Sequence, residues 1–320
     1  MKKFAALATL ALTLVATPPA LAQDYPNRPV RIMLGFPAGS SVDIVARVVG
    51  ARMAQTLGQQ FVVENKPGAG SLLAADTVAR APKDGYTVLL ATVSNTIAAG
   101  LNSHPAVDFQ KDLAPITRLT TTPNILAVHP SIAVNSVKEL VALAKAKPDA
   151  LSIGSSGVGT GTHLAGELFK LQTGVKMVHV PYPGSPQSVA DLVGGRIQVL
   201  FAPASSVLPH AREGKIVALA SSEAKRTSAA PELPTMQEAG LPGYETGLWF
   251  GFLVPGGTPQ SVIDKLNRAA NEALKAEDVL KALSPQGIDP VGGSTEEFTT
   301  FIAADVKRWT TVGEATGLRK

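Results

Sequence analysis

The stretch "LSIGSSGVGTGTHLAGELF", residues 151–169, packs serines, threonines, glycines and one histidine between a short apolar run and a helical pattern. Three chemistries are open to such a turn. Ser155 or Ser156, with His163 and Asp191, supplies the residue types of a nucleophilic triad. No G-x-S-x-G elbow supports it, because "GSSGVG" has the wrong spacing. Gly154 and Gly159 have P-loop spacing, yet Thr160-Gly161 stand where Lys-Ser/Thr must meet phosphate and magnesium. Gly157-Val158-Gly159 begins a dinucleotide fingerprint, but Thr162 takes the place of its third glycine. What remains is an anion held by backbone N–H groups and hydroxyls at a helix start, without a lysine or arginine in the turn. No HExxH or close His/acid cluster occurs and there is no cysteine, so metal ligands are lacking and no cofactor is implied.

Elements must hold such a turn in place. Residues 30–35 read as a buried strand, 36–41 as a loop, and the following segment as a helix ending near Leu57-Gly58. Ile44, Val45, Val48, Val49 and Met53 share one face of that helix; Ser41 can cap it, with Asp43 in its first turn. "QFVVEN", "YTVLLAT", "NILAVH", "VKMVHVPY", "IQVLFAP", "IVALASS" and "GLWFGFLV" read as further strands. Helices are predicted from about Gly70 and over residues 137–146, 162–171, 260–274 and 296–312. Apolar strands alternating with helices predict an α/β fold with mostly parallel sheets flanked by helices. Two segments share one plan of strand, Gly-rich turn and helix: "VRIMLGFPAGSSVDIVARVV" and "ALSIGSSGVGTGTHLAGELF". In open α/β sheets ligands sit beyond the carboxyl ends of strands, so two such turns facing across a cleft would hold both ends of an acid.

The N-terminus indicates the compartment. Lys2 and Lys3 precede an apolar run, and Ala20-Leu21-Ala22 supplies a small-x-small cleavage pattern. Residues 1–22 are expected to be a secretory signal peptide cut after Ala22, leaving Gln23 first in a periplasmic protein. The mature chain, roughly 300 residues, exceeds one ordinary core and predicts about two domains. Removing Lys2 and Lys3 lowers the formal net charge from +4 to +2. The remaining charges are mixed, without the basic stripe of a nucleic-acid binder or a polybasic membrane patch. Aromatic residues are only 5%, which disfavours sugar recognition by stacking.

In order along the chain, "YPNRPVRIMLGFPAGSSVDIVAR", "VVENKPGAG", "PKDGYTVLL", "SSGVGTGTHLAGELF", "VPYPGSPQSVADLVGGRIQVLF", "LPTMQEAGLPGYE" and "FLVPGGTP" cover essentially the whole mature sequence. Together they resemble the Bug-type extracytoplasmic solute receptors of tripartite tricarboxylate transporters. The resemblance implies two α/β domains closing on a carboxylated solute like a flytrap. One domain would be residues 24–123 with 241–320, the other residues 124–240. The large and small membrane subunits of a secondary transporter would be the partners, the receptor itself being a monomer. It also implies that the solute carboxylate is bound, partly through water, by Phe36-Pro37-Ala38-Gly39-Ser40-Ser41 and Ser155-Ser156-Gly157-Val158-Gly159-Thr160. Ser40-Ser41 depart from the family's common Gly-Gly, so their hydroxyls either narrow the pocket or donate directly.

Each nominated residue has a plainer role beside the functional one. Gly39, Gly157 and Gly159 serve a tight turn as well as backbone approach to a ligand. Ser41 and Thr162 are helix caps or contacts, and Thr160 is the better contact of the second turn. His163 is read as a donor to the carboxylate or as a structural histidine. Thr92, Ser94 and Asn95 line the cleft or form a polar turn. The resemblance favours Gly184 and Ser185 as ligand residues, and Ala202 and Pro203 end a strand at the cleft wall. Phe36 covers the ligand or packs in the core. The backbone around Gly157–Thr160 is expected to hold the carboxylate, with Arg47 outside the site. The alternative class is a secreted Ser/His hydrolase acting on a small carboxylic ester or amide.

Overall fold

The computed structural model describes residues 25–102 and 107–316. The signal segment 1–22, its cleavage site and the start of the first domain at Asp24 lie outside the described residues. Strands are β1 Val30–Leu34, β2 Phe61–Asn65, β3 Thr87–Thr92, β4 Leu113–Thr122, β5 Asn124–Val128, β6 Ser152–Ser155, β7 Val178–Pro181, β8 Val199–Pro203, β9 Val217–Ser221, β10 Leu248–Pro255 and β11 Asp289–Pro290. Helices are α1 Ser41–Leu57, α2 Leu72–Ala79, α3 Val93–Leu101, α4 Val137–Ala146, α5 Gly161–Thr173, α6 Ser185–Val193, α7 Ala204–Arg212, α8 Gln260–Lys275, α9 Glu277–Leu283 and α10 Thr295–Thr316.

Two sheets result. One has the order β11-β4-β10-β3-β1-β2 and draws on both ends of the chain; the other, β7-β6-β8-β5-β9, draws on its middle. Apolar side chains of β1, β3 and β10 join those of α1, α8 and α10 in the core of the first. The second sheet has a core on each face, one around Phe169, Phe201 and Tyr244, the other around Ile125, Leu200 and Val207.

Both sheets are mixed rather than mostly parallel. β1 runs parallel to β2 and β3, and β6 parallel to β7 and β8. β10 is antiparallel to β3 and β4, and β5 is antiparallel to β8 and β9. The strands that break the parallel rule carry the chain between sheets: β4 passes through Pro123 directly into β5. Every residue of β5 and β10 is buried, so both read as continuous apolar runs like parallel strands, and direction is invisible in them.

Local differences also have causes. "VSNTI" belongs to α3, whose start is capped by Thr92 accepting from the Ser94 N–H, while Asn95 Oδ1 accepts from the Thr92 N–H. Such a short apolar helix after a strand looks like the strand's end. The helix expected from Gly70 starts at Leu72, after a tight turn in which Ala69, Gly70 and Ser71 all have positive φ. Ser40, not Ser41, is the residue preceding α1, and its hydroxyl donates to Pro37 O at 2.7 Å instead of capping.

Candidate functional site

Five helices begin where strands of the two sheets end. α1 and α3 start beyond β1 and β3; α5 and α7 start beyond β6 and β8; α6 follows β7. Their first turns surround a cavity of about 30 Å³ lined by Phe36, Ser40, Ser41, Val42, Thr92, Val93, Ser94, Ser156, Thr160, Gly161, Thr162, Ser185, Pro203, Leu248 and Phe250. No lining side chain is charged. First-turn N–H groups have no intrahelical acceptor, and each helix start carries roughly half a positive charge. The cavity is therefore positive without containing a cation, and its hydroxyls add adjustable donors. Leu248, Phe250, Phe36 and Pro203 give it an apolar side.

The first turn is rigid for reasons below the cavity. Asp43 is buried and accepts from the Gly39 N–H at 3.0 Å, from Arg47 Nε at 3.0 Å and from Asn65 Nδ2 at 2.9 Å. Burial pushes its pKa up, but the hydrogen bonds from Arg47, Gly39 and Asn65 outweigh this and hold it below the usual carboxylate range. Asn65 also donates to Phe36 O at 3.0 Å. Arg47 is thus tied to Asp43 and does not line the cavity.

The second turn is laced by its own side chains. Thr160 Oγ1 donates to Gly157 O at 2.7 Å and accepts from the His163 N–H at 3.4 Å. The Gly157 N–H goes to Ser155 Oγ at 3.2 Å, and the Gly159 N–H to His163 Nδ1 at 3.2 Å. Thr162 Oγ1 accepts from the Ser156 N–H, and the Ser156 and Ser185 hydroxyls meet at 3.1 Å. The donors expected from Gly157 and Gly159 are consequently spent inside the turn. Ser41, Val42, Gly161 and Thr162 line the cavity from first helical turns, whose N–H groups have no intrahelical acceptor.

Of the residues nominated from sequence, Phe36, Ser40, Ser41, Thr92, Ser94, Ser156, Thr160, Ser185 and Pro203 line one cavity. Ala38, Gly39, Asn95, Gly157, Val158, Gly159, His163, Gly184 and Ala202 do not. Ala38 and Gly39 are exposed, Val158 is 66% exposed, and Ala202 is buried in the β5–β8 pairing. Gly184 lies behind Ser185, where a Cβ would fall 2.5 Å from Pro37 Cγ on the opposite turn. Sequence reasoning did not nominate Val42, Val93, Gly161, Leu248 or Phe250, which also line the cavity, and it favoured a capping role for Thr162. Leu248 and Phe250 alternate along β10, a period-two signal that a wholly apolar strand conceals.

The triad residues do not assemble. Asp191 binds Tyr182 Oη at 2.9 Å and Arg196 at 2.6 Å. Ser155 Oγ instead meets His179 Nε2 at 2.7 Å, and the His163 ring stacks on His179 at 4.3 Å. Burial first, then the neighbouring His163, lowers the His179 pKa to about 4, and burial also lowers that of His163. Ser155 is 1% exposed and outside the cavity lining, so this pair braces the turn. No group of three or more His, Cys, Asp or Glu among the described residues could hold a metal.

The family model for the tripartite tricarboxylate transporter family receptor matches residues 45–318. The chain belongs to that family. Protein BugT of Bordetella pertussis is 36% identical over 303 residues, covering 94% of this chain and 93% of BugT. R. palustris Rpa4515, solved with adipate, is 34% identical with a TM-score of 0.86 over 92% of this chain and 99% of that one. MatC from Rhodopseudomonas palustris, solved with bound malate, is 30% identical with a TM-score of 0.85 over 90% and 99%. The receptor family's two-domain binding-protein fold is therefore the fold of this chain, with mixed sheets flanked by helices. Among the described residues no helix is long and apolar enough to cross a membrane.

Proposed function

We propose that this protein is an exported receptor that captures a small carboxylate between two lobes and hands it to the membrane subunits of a tripartite tricarboxylate-type transporter. The observation that carries this reading is the convergence of five helix starts on a cavity lined by hydroxyls and apolar groups and by no charged side chain. Such a site attracts an anion without the desolvation penalty of a buried cation, and an anion so held is readily released. The adipate and malate held by relatives support a carboxylic acid as the solute. In this reading residues 24–123 with 241–320 form one lobe and residues 124–240 the other. The signal segment 1–22 delivers the chain to the periplasm, where it works as a monomer and turns nothing over.

The test is a thermal-shift screen against a carboxylate library, calorimetry on the hits, and recovery of the acid after long incubation. A ligand that binds only the folded state raises the melting temperature by mass action. One-to-one binding with the acid recovered unchanged is the expected result. Conversion of the acid by purified protein, abolished in Ser155→Ala, would overturn the receptor reading.

A further inference from the structure

Behind the carboxylate cavity lies a second one, of about 210 Å³, where the chain crosses between the sheets. Val93, Gly161 and Leu248 line both, so one wall is shared. For scale, a dry apolar cavity of about 150 Å³ accommodates benzene. Unlike the first cavity, this one has both signs of charge in its lining: Arg118 and Arg308, and Glu223, Glu245 and Asp305.

Asp305 is buried, Arg118 and Glu223 are half-buried, and Glu245 and Arg308 are exposed. Asp305 is satisfied, with Oδ2 accepting from Thr96 Oγ1 and Trp249 Nε1. Arg308 reaches out to Glu245 O at 3.0 Å. Arg118 lies 4.3 Å over the Phe301 ring, and burial lowers its pKa. Glu223 has a buried Oε1 without a partner, and burial, then Glu245, raises its pKa. Among the described residues neither Arg118 nor Glu223 forms an ion pair, although each feels the other's charge. Trp309 is 7% exposed, and its indole N–H also lacks an acceptor. Holding an arginine and a glutamate half-desolvated but apart is costly unless something bridges them.

We propose that this hinge cavity is a second ligand site, for a small zwitterion with an ammonium and a carboxylate a few atoms apart. The carboxylate end meets the Arg118 guanidinium and the Trp309 N–H. The ammonium end meets Glu223 Oε1, with the Glu245 carboxylate nearby, and the carbon chain lies on Phe301 and Trp309. Because the shared wall carries Gly161 from α5 and Val93 from α3, filling this cavity changes the fit of the first one. Coupling of that kind is reciprocal.

Both tryptophans of the chain, Trp249 and Trp309, line this cavity, so intrinsic fluorescence reports on it directly. Purified protein would be titrated with glycine, β-alanine, γ-aminobutyrate and 5-aminopentanoate, and with acetate and methylammonium together as the unlinked control. A saturable change with at least one zwitterion and none with the unlinked ions is expected. Glu223→Gln and Arg118→Gln, checked for folding by circular dichroism, should each weaken that response about tenfold or more, as loss of a charged hydrogen-bond partner does. Gly184→Leu, which obstructs closure on the first cavity, should weaken it less than either charge variant does. Fluorescence unmoved by every zwitterion overturns the proposal. So does a response lost in Gly184→Leu but kept in Glu223→Gln, since the amino acid would then sit in the first cavity. If both charge variants unfold, the linked-against-unlinked comparison on the native protein decides.

Discussion

Thr160 and the two stacked histidines show how far the second turn is held by its own side chains. The Thr160 hydroxyl lines the cavity, yet its proton goes to Gly157 O and its lone pair to the His163 N–H. Its work is to hold the turn and cap α5, bonds worth about 0.5–2 kcal/mol. Thr160→Ala should therefore weaken binding of the best acid by about tenfold, and Thr160→Ser should restore most of it, both read by calorimetry. Loss in both variants would assign the effect to methyl packing instead. His163 and His179 make the same turn sensitive to pH. The folded protein keeps both rings less basic than in the unfolded chain, with His179 lowered to about 4. Their contribution to stability is complete above the ordinary value of 6.5 and is lost as pH falls from there toward about 4, where the unfolded chain takes up the protons. Protonated His163 also stops accepting from the Gly159 N–H. Melting temperature and affinity should both fall over that window, and His179→Gln should flatten the difference. Parallel pH curves for native protein and variant would remove the histidines from the argument.

At the scale of elements, two helix starts meet across the cleft where a side chain would not fit. Gly184 precedes α6 in an extended conformation that any residue adopts, so its lack of a Cβ serves approach and not backbone freedom. A Cβ there would stand 2.5 and 2.7 Å from Pro37 Cγ and Cδ, and a proline ring cannot swing away. Lobes moving apart across the cleft would break this approach. Gly184→Ala should therefore leave the melting temperature of the unliganded protein unchanged while raising Kd about tenfold or more, because only the closed state is penalised. Calorimetry and thermal melting on one preparation check it; equal affinity would mean that closure stops short of this contact. The two turns were legible because glycine and hydroxyl residues between an apolar run and a helical period leave few alternatives. Which N–H groups remain for a ligand was not legible, since Ser155, Thr162 and His163 consume turn donors through side-chain bonds that spacing does not encode. Strand direction was hidden too: the all-buried β5 and β10 have no alternation to distinguish an antiparallel neighbour. Leu248 and Phe250 were lost with it.

Over the whole molecule, capturing a solute means bending the chain at its crossings without stretching them. Asn124, the first residue after Pro123, stands at the centre of that joint. Its N–H donates to Ser222 Oγ at 3.0 Å, its side chain donates to Thr246 O at 2.8 Å, and its carbonyl accepts from the Ser222 N–H at 2.9 Å. The Thr246 N–H in turn reaches Ser222 O at 3.0 Å, just before the chain re-enters the first sheet through β10. The outgoing and returning segments are therefore fastened to each other in one short seam through fully buried Asn124 and Ser222. Removing the Asn124 side chain breaks one bond of the seam, while Thr246 O keeps its second donor, Ser222 Oγ at 3.1 Å. Asn124→Ala should cost about 1–3 kcal/mol of stability in urea unfolding, the usual range for a buried hydrogen bond and the packing around it. No residue lining the first cavity changes, so affinity for the acid should shift by less than about threefold, a difference under 1 kcal/mol. A large change in Kd without loss of stability would mean that Asn124 sets the balance between open and closed lobes instead of merely joining them.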